Sequence, residues 1–237
     1  MKRLLLILFI ALSLLANAQT ADYYSGLGFE KYAKEDFKGA ILAFDKAIAL
    51  DPKNVFNYLW RGNANDALEN YSESIKDYDK IIELDPKSVD GYVHRAEAKY
   101  FDMNYEGAIE DYSKTIGLAP GNEKALLGRA QCNYHLKKYA LSVQDYTKLI
   151  ALDSLNLTAY KKRAEARGDM KDYKGAINDY TKAIDLEPNK ERAASTYTLR
   201  GFMKQFNLDQ KGACVDYAKS VELGYAAAAG YIKSYCQ

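Results

Sequence analysis

Two charged residue types recur along this chain in step. Arginine stands at Arg61, Arg95, Arg129, Arg163 and Arg200, and aspartate follows each one at Asp77, Asp111, Asp145, Asp179 and Asp216. The same offsets one period earlier hold Leu27 and Ala43, so both partners are missing together. Joint presence and joint absence imply pairing within one segment; pairing to a neighbouring segment would orphan an arginine at one end and an aspartate at the other. A guanidinium presents two parallel donors to a carboxylate and tolerates partial burial. That chemistry suits a clip between two packed elements better than an open ladder for an anionic ligand.

Other reactive residues are sparse. His94 and His135 are the only histidines, and Cys132 with His135 makes a lone C-x-x-H without the second ligand pair of a zinc site. The chain has no nucleophile elbow, phosphate loop or zinc-protease motif. Its carboxylates read as solvated helix faces, and nothing isolates a catalytic pair. No catalysis, metal, cofactor or small-molecule substrate is therefore expected. Basic and acidic residues balance, 33 against 32, with no basic stripe to suggest nucleic acid. Tyrosine is abundant, 21 residues against 8 Phe and one Trp. A tyrosine buries its ring while its hydroxyl reaches water or a polar partner, which suits half-exposed helix interfaces.

The first residues stand apart. Lys2 and Arg3 precede a run from Leu4 to Leu15 that is apolar except for Ser13, and Ala16-Asn17-Ala18 follows. A bilayer-spanning helix takes about 20 apolar residues, so the run is too short. Charge, apolar stretch and small residues together predict a secretory signal over residues 1–18, cleaved near Ala18. No cysteine stands directly after the cleavage point, so a lipid anchor is not expected. The mature chain would start near Gln19, carry no transmembrane segment and reside in the periplasm or outside the cell.

The elements that position the charged pairs come from an internal repeat. DYTKAIDLEP at 179–188 answers to DYDKIIELDP at 77–86, DYSKTIGLAP at 111–120 and DYTKLIALDS at 145–154, with AFDKAIALDP at 43–52 and DYAKSVELGY at 216–225 as weaker copies. Pro52, Pro86 and Pro120 are 34 residues apart; Pro188 lies 68 further on, with Ser154 in the skipped place. A period of 34 points to stacked helix-turn-helix units. Frames start at Ala21, Val55, Val89, Glu123, Leu157 and Ala194, which places three extra residues in the connector around Asn189 to Ala193.

Within each frame the same size pattern returns. Position 4 is large (Tyr24, Tyr58, Tyr92, Leu126, Tyr160, Tyr197) and position 24 is aromatic (Phe44, Tyr78, Tyr112, Tyr146, Tyr180, Tyr217). Position 8 (Gly28, Gly62, Ala96, Ala130, Ala164, Gly201) and position 20 (Ala40, Ser74, Ala108, Ser142, Ala176, Ala213) are small. Small residues let two helix axes approach to about 8 Å. Each frame thus reads as helix A over about fourteen residues, a polar turn, and helix B up to the proline that ends it. The junction at Ser154 lacks that stop.

This pattern resembles the tetratricopeptide repeat family, over about Ala21 to Tyr225. The resemblance implies an all-α, right-handed superhelical solenoid of six repeats spanning 19–225 (21–54, 55–88, 89–122, 123–156, 157–193 and 194–225). Two positions depart from the family: position 7 is arginine rather than apolar in five repeats, and position 11 holds Lys31, Asn65, Lys99, Asn133 and Arg167 where a large residue is usual. Residues 226–237 read as a capping helix over the apolar flank of the last repeat. Family geometry turns Cys214 towards that cap, which ends at Cys236. Either the two form a disulfide or both remain thiols, and the odd cysteine count leaves at least one out.

The resemblance further implies a concave groove, lined by the A helices, that binds a peptide or protein partner. Its lining would be Phe29, Tyr32, Phe56, Leu59, Asn63, Glu97, Tyr100 and Phe101, then Lys124, Gln131, Tyr134, His135, Lys161, Phe202 and Phe206. The Lys and Asn with which some members hold a carboxylate terminus do not occur together here: Asn63 has Leu59 beside it, and Lys161 has Glu165. An aromatic groove with scattered polar groups suits an extended or helical peptide. The expected function is an exported, non-catalytic scaffold or adaptor, with a regulatory or assembly subunit of an envelope enzyme or transport complex as the alternative.

Overall fold

The computed structural model describes residues 20–236; the expected signal peptide over 1–18 lies outside them. Among the described residues there are thirteen helices and no strand. They fall into two compact units, one up to Pro120 and one from Gly121. Unit 1 holds three hairpins: α1 (20–33) with α2 (Phe37–Leu50), α3 (Val55–Ala67) with α4 (Tyr71–Leu84), and α5 (Val89–Phe101) with α6 (Tyr105–Leu118). Unit 2 holds α7 (Glu123–His135) with α8 (Tyr139–Leu152), α9 (Leu157–Asp169) with α10 (Tyr173–Leu186), α11 (Lys190–Phe206) with α12 (Gln210–Glu222), and α13 (Ala228–Tyr235). Within each unit every B helix also packs on the A helix of the next hairpin.

Local chemistry sets the boundaries. A-helix starts are capped by Asn54, Ser88, Asn122, Asn156 and Asn189, each side chain accepting from a backbone N–H in the first turn. The A-to-B turn has one geometry throughout. Its second residue, Glu35, Glu69, Met103, Lys137, Lys171 or Leu208, takes positive φ between 58° and 65° without being glycine. The residue after it donates back to the A helix, as in Asp36 N–H to Lys31 O at 2.9 Å and Asp172 N–H to Arg167 O at 2.9 Å. This double-bonded helix ending normally takes glycine at the left-handed position. The same following residue then caps helix B: Asp36, Asn104, Asp172 and Asp209 each accept from a glycine N–H. A Cβ on Gly39 would lie 2.2 Å from the Asp36 carboxylate, so glycine there makes room for the cap.

The size pattern of the sequence is the packing pattern of the hairpins. All six aromatic residues at position 24 are buried, and so are all six small residues at position 20. Positions 8 and 24 touch: a Cβ on Gly62 would come within 2.7 Å of the Tyr78 ring, and one on Gly201 within 2.6 Å of Tyr217. Overpacking of that kind costs about 1–3 kcal/mol.

Two junctions differ from expectation. The B helix before Ser154 ends like the proline-bearing ones, with Asp153 N–H bonded to Leu149 O at 2.9 Å. Asp153 accepts from Leu155 N–H at 2.9 Å, as Asp51 and Asp85 accept from Lys53 and Lys87 N–H beside their prolines, so the aspartate turn forms with or without proline. The three extra residues after Pro188 do not lengthen a connector. They add a turn to the start of α11, which runs 17 residues where α3, α5, α7 and α9 run 13. The repeat boundary at 193/194 accordingly falls inside a helix.

Helix α13 keeps the repeat register. Ala228 stands 34 residues after Ala194, and Tyr231 occupies the large position 4. Its ring packs edge-on against Phe202 (4.7 Å between centroids) and tilted against Tyr217 (5.6 Å). Helix α13 thus stands where the A helix of a further repeat would begin. A disulfide between Cys214 and Cys236 ties it to α12, and the Gln210 amide donates to the Tyr235 carbonyl. Cys132 is buried and takes no part in the bridge.

Candidate functional site

Each A helix has one side against its B helix and one turned away. The side towards B carries the charged pairs. Arg61 Nη2 donates to Asp77 at 2.5 Å, and the same fork joins Arg95 to Asp111 (2.5 Å), Arg129 to Asp145 (2.8 Å), Arg163 to Asp179 (2.7 Å) and Arg200 to Asp216 (2.7 Å). Each of the five pairs lies within its own hairpin, and the five aspartates are buried, 1–4 % exposed.

The structure adds two features. The remaining guanidinium nitrogen reaches the preceding B helix, donating to Asp45 from Arg61, Asp79 from Arg95, Thr147 from Arg163 and Thr181 from Arg200. Each of these arginines therefore ties three helices, and the third partner always comes from position 25 of the preceding repeat, a polar place the sequence displays. The unusual position 11 also acquires a reason. Lys99, Arg167 and Lys204 place a second cation on the same buried aspartate, at 2.8, 2.7 and 2.9 Å. In the other two clipped hairpins that place holds Asn65 and Asn133, both buried.

Tyrosine at position 4 serves the clip as well as the core. The guanidinium lies over that ring in four hairpins, at 5.7 Å for Arg61 on Tyr58, 5.6 Å for Arg95 on Tyr92, 5.6 Å for Arg163 on Tyr160 and 5.2 Å for Arg200 on Tyr197. Burial opposes the charge on Arg61, but the bonds to Asp77 and Asp45 outweigh it and raise the guanidinium's pKa. A group so committed is a structural strut.

The side away from B carries the residues expected to line a groove. In unit 1, Phe29, Tyr32 and Phe56 form one cluster, and the structure adds Trp60 at its centre. Trp60 lies 5.0 Å from Phe29, 4.9 Å from Tyr32 and 5.9 Å from Phe56 between ring centroids. Phe29 and Phe56 remain exposed, at 44 % and 45 %. As the single tryptophan, one turn after Phe56, Trp60 was open to recognition from the sequence. Leu59 instead packs into the core with Tyr58, Tyr78 and Ile81.

Asn63 and Glu97 belong to a polar group around Tyr78. The Tyr78 hydroxyl donates to Asp66 at 2.6 Å and lies 2.9 Å from Asn63 Oδ1. His94 stacks on the Tyr78 ring and lies 3.6 Å from Glu97. Burial raises the pKa of the Asp66 carboxyl. Tyr100 packs edge-on against Tyr105, and Phe101 stacks on Tyr71 of the preceding B helix while remaining exposed.

In unit 2 the expected residues are more dispersed. Tyr134 donates to Asp169 at 2.7 Å and its hydroxyl lies 3.4 Å from Glu165 Oε1; burial with the Asp169 bond raises its pKa. It also packs against Tyr139. Lys161 pairs with Glu187 at 4.0 Å. Lys124 and His135 are exposed and Gln131 is half-buried; Lys124 also lines a cleft of about 400 Å³ with Leu127, Leu149 and Thr158. Phe206 stacks on Tyr173 and is exposed. Phe202 lies against Tyr231 of the cap, so its ring is engaged within the chain. Among the described residues no cluster of three or more His, Cys, Asp and Glu could hold a metal, and no helix is long and apolar enough to cross a membrane.

The sequence profile of the tetratricopeptide repeat matches residues 26–89, 95–156 and 157–190. The chain belongs to the tetratricopeptide repeat family. Among solved structures it is similar to the MamA protein, with a TM-score of 0.69 and 24% identity over 73% of this chain and 95% of that one. YrrB, a tetratricopeptide repeat protein described as having an unusual peptide-binding site, gives 0.69 and 16% over 81% of this chain and 98% of that one. A repeat protein from Parabacteroides merdae gives 0.60 and 21% over 92% and 84%. These likenesses establish the fold. Comparison with curated proteins gives no match.

Proposed function

We propose that this tetratricopeptide repeat protein is an exported, non-catalytic scaffold that holds a peptide or protein partner on the outward side of its A helices. One observation carries the reading: Phe29 and Phe56 stand exposed on the Trp60 cluster, while the clip arginines are engaged in ion pairs with carboxylates. Exposed aromatic residues grouped on a rigid face are typical anchors for a partner. YrrB, of the same fold, is described as a peptide binder, which supports the reading.

Export rests on the pattern of residues 1–18 and gains support from the Cys214–Cys236 disulfide, since such bonds persist in oxidising compartments. N-terminal sequencing of protein from the periplasm or medium should begin at or near Gln19; intact Met1 in the cytosol would refute export. For the scaffold, the wild type and a Phe29→Ala/Phe56→Ala variant should be used as baits on an envelope extract. A partner retained by the first and lost by the second, at equal melting temperature, supports the face; a partner retained by both moves binding elsewhere.

A further inference from the structure

The aromatic cluster of unit 1 sits in a one-signed electrostatic setting. On α1, α3 and α5, the outward positions 2, 5, 6, 9, 12 and 13 hold Asp22, Asp66, Asp90 and Glu97, and no lysine or arginine; His94, at position 6, lies 3.6 Å from Glu97. All four basic residues of these helices lie elsewhere and are already paired: Lys31 with Asp36 (2.8 Å), Arg61 and Arg95 in their clips, and Lys99 with Asp111 (2.8 Å). The corresponding positions in unit 2 include Lys124 and Lys161, so the acidity of the first face is not a general property of the repeat.

The carboxylates and the apolar patch adjoin one another. Tyr32 packs edge-on against Trp60, and its hydroxyl's pKa is raised by burial and then by the charge of Asp66. Asp66 Oδ2 accepts from Tyr78, while the buried Oδ1 has no hydrogen-bond partner. Glu97 lies next along the face, about a quarter exposed. A partner bringing further carboxylates would meet Asp66 and Glu97 beside a surface that excludes water, which selects against it.

Resting on the partner-binding reading above, we infer that the unit 1 face takes a cationic, amphipathic segment, with an apolar side chain on Phe29, Phe56 and Trp60 and a lysine or arginine beside Glu97 and Asp66. Opposite charge steers such a segment to the face and makes its capture salt-sensitive. An acidic segment, or one recognised by its terminal carboxylate, is the competitor that this charge pattern rejects.

The test uses the full chain and two synthetic twelve-residue peptides with identical Phe and Leu positions, the others all lysine in one and all glutamate in its twin. Fluorescence anisotropy should show the lysine peptide binding at least about tenfold more tightly, a factor worth about 1.4 kcal/mol, and weakening as salt rises. Asp66→Asn with Glu97→Gln should remove most of that preference, and Phe29→Ala with Phe56→Ala should weaken the lysine peptide, all at unchanged melting temperature. Equal or tighter binding of the glutamate twin, indifference to the carboxylate variant, or binding of neither peptide would overturn the inference. If the glutamate twin binds and the aromatic variant releases it, the charge preference falls while the partner-binding face stands. If the lysine peptide binds wild type and aromatic variant alike, both fall.

Discussion

The two sides of each A helix obey opposite rules. Towards helix B, chemistry repeats: a small residue meets an aromatic ring, and an arginine forks onto a buried aspartate in hairpin after hairpin. Away from B, it changes at every step. Position 9, for example, runs Phe29, Asn63, Glu97, Gln131, Glu165 and Phe202. Packing tolerates few solutions, so a stacked array reuses one. Recognition needs a surface that differs from place to place. In this molecule, recurrence marks what holds the hairpins together, and departure from recurrence marks where a partner would be read.

The largest effects should come from the recurrent side. Tyr78→Ala removes a fully buried ring against Gly62 and should cost about 3–5 kcal/mol by chemical denaturation. A loss below about 1 kcal/mol would mean that position 24 does not hold the hairpin.

The clips should then divide by their second cation. Arg61→Ala strands buried Asp77, where position 11 is Asn65, and should cost about 3–5 kcal/mol. Arg163→Ala leaves Arg167 on Asp179 at 2.7 Å and should cost clearly less. Equal losses would show that the position 11 cations contribute nothing.

The cap comes next. Reducing Cys214–Cys236 frees an end of α13 and should lower stability by about 2–3 kcal/mol, as for a loop of this length. A melting curve unmoved by reductant would show that Tyr231 packing alone holds the cap. The smallest effect is a gain. Leu208 is exposed and held at φ 65°, so Leu208→Gly should stabilise by up to about 1 kcal/mol. A loss there would mean that the turn is set by something other than its backbone.

Much of the recurrent side was legible in the sequence, because a pattern seen six times reports on packing directly. The joint absence of arginine and aspartate from the first hairpin identified the pairs before any distance was known. The third helix was less visible, since its acceptor is aspartate for Arg61 and Arg95 but threonine for Arg163 and Arg200. Lys99 and Arg167 looked like departures from a family pattern until the aspartate they share was in view. The outward side was harder. Equivalent positions there have unequal fates: at position 9, Phe29 is exposed whereas Phe202 is taken by Tyr231 of the cap, and Leu59 enters the core. A period fixes which way a side chain leaves its helix, but its neighbours decide whether it reaches solvent.

The division between the two sides can be tested in one paired measurement: partner affinity and melting temperature on wild type, Phe29→Ala/Phe56→Ala and Arg129→Ala. The aromatic variant should lose about 2 kcal/mol or more of binding, as anchor residues do, while melting like wild type. The clip variant should melt early yet, at a temperature where it remains folded, bind as wild type does. Full affinity in the aromatic variant, or selective loss of affinity in the folded clip variant, would contradict the assignment of recognition to the outward face and of structure to the clips.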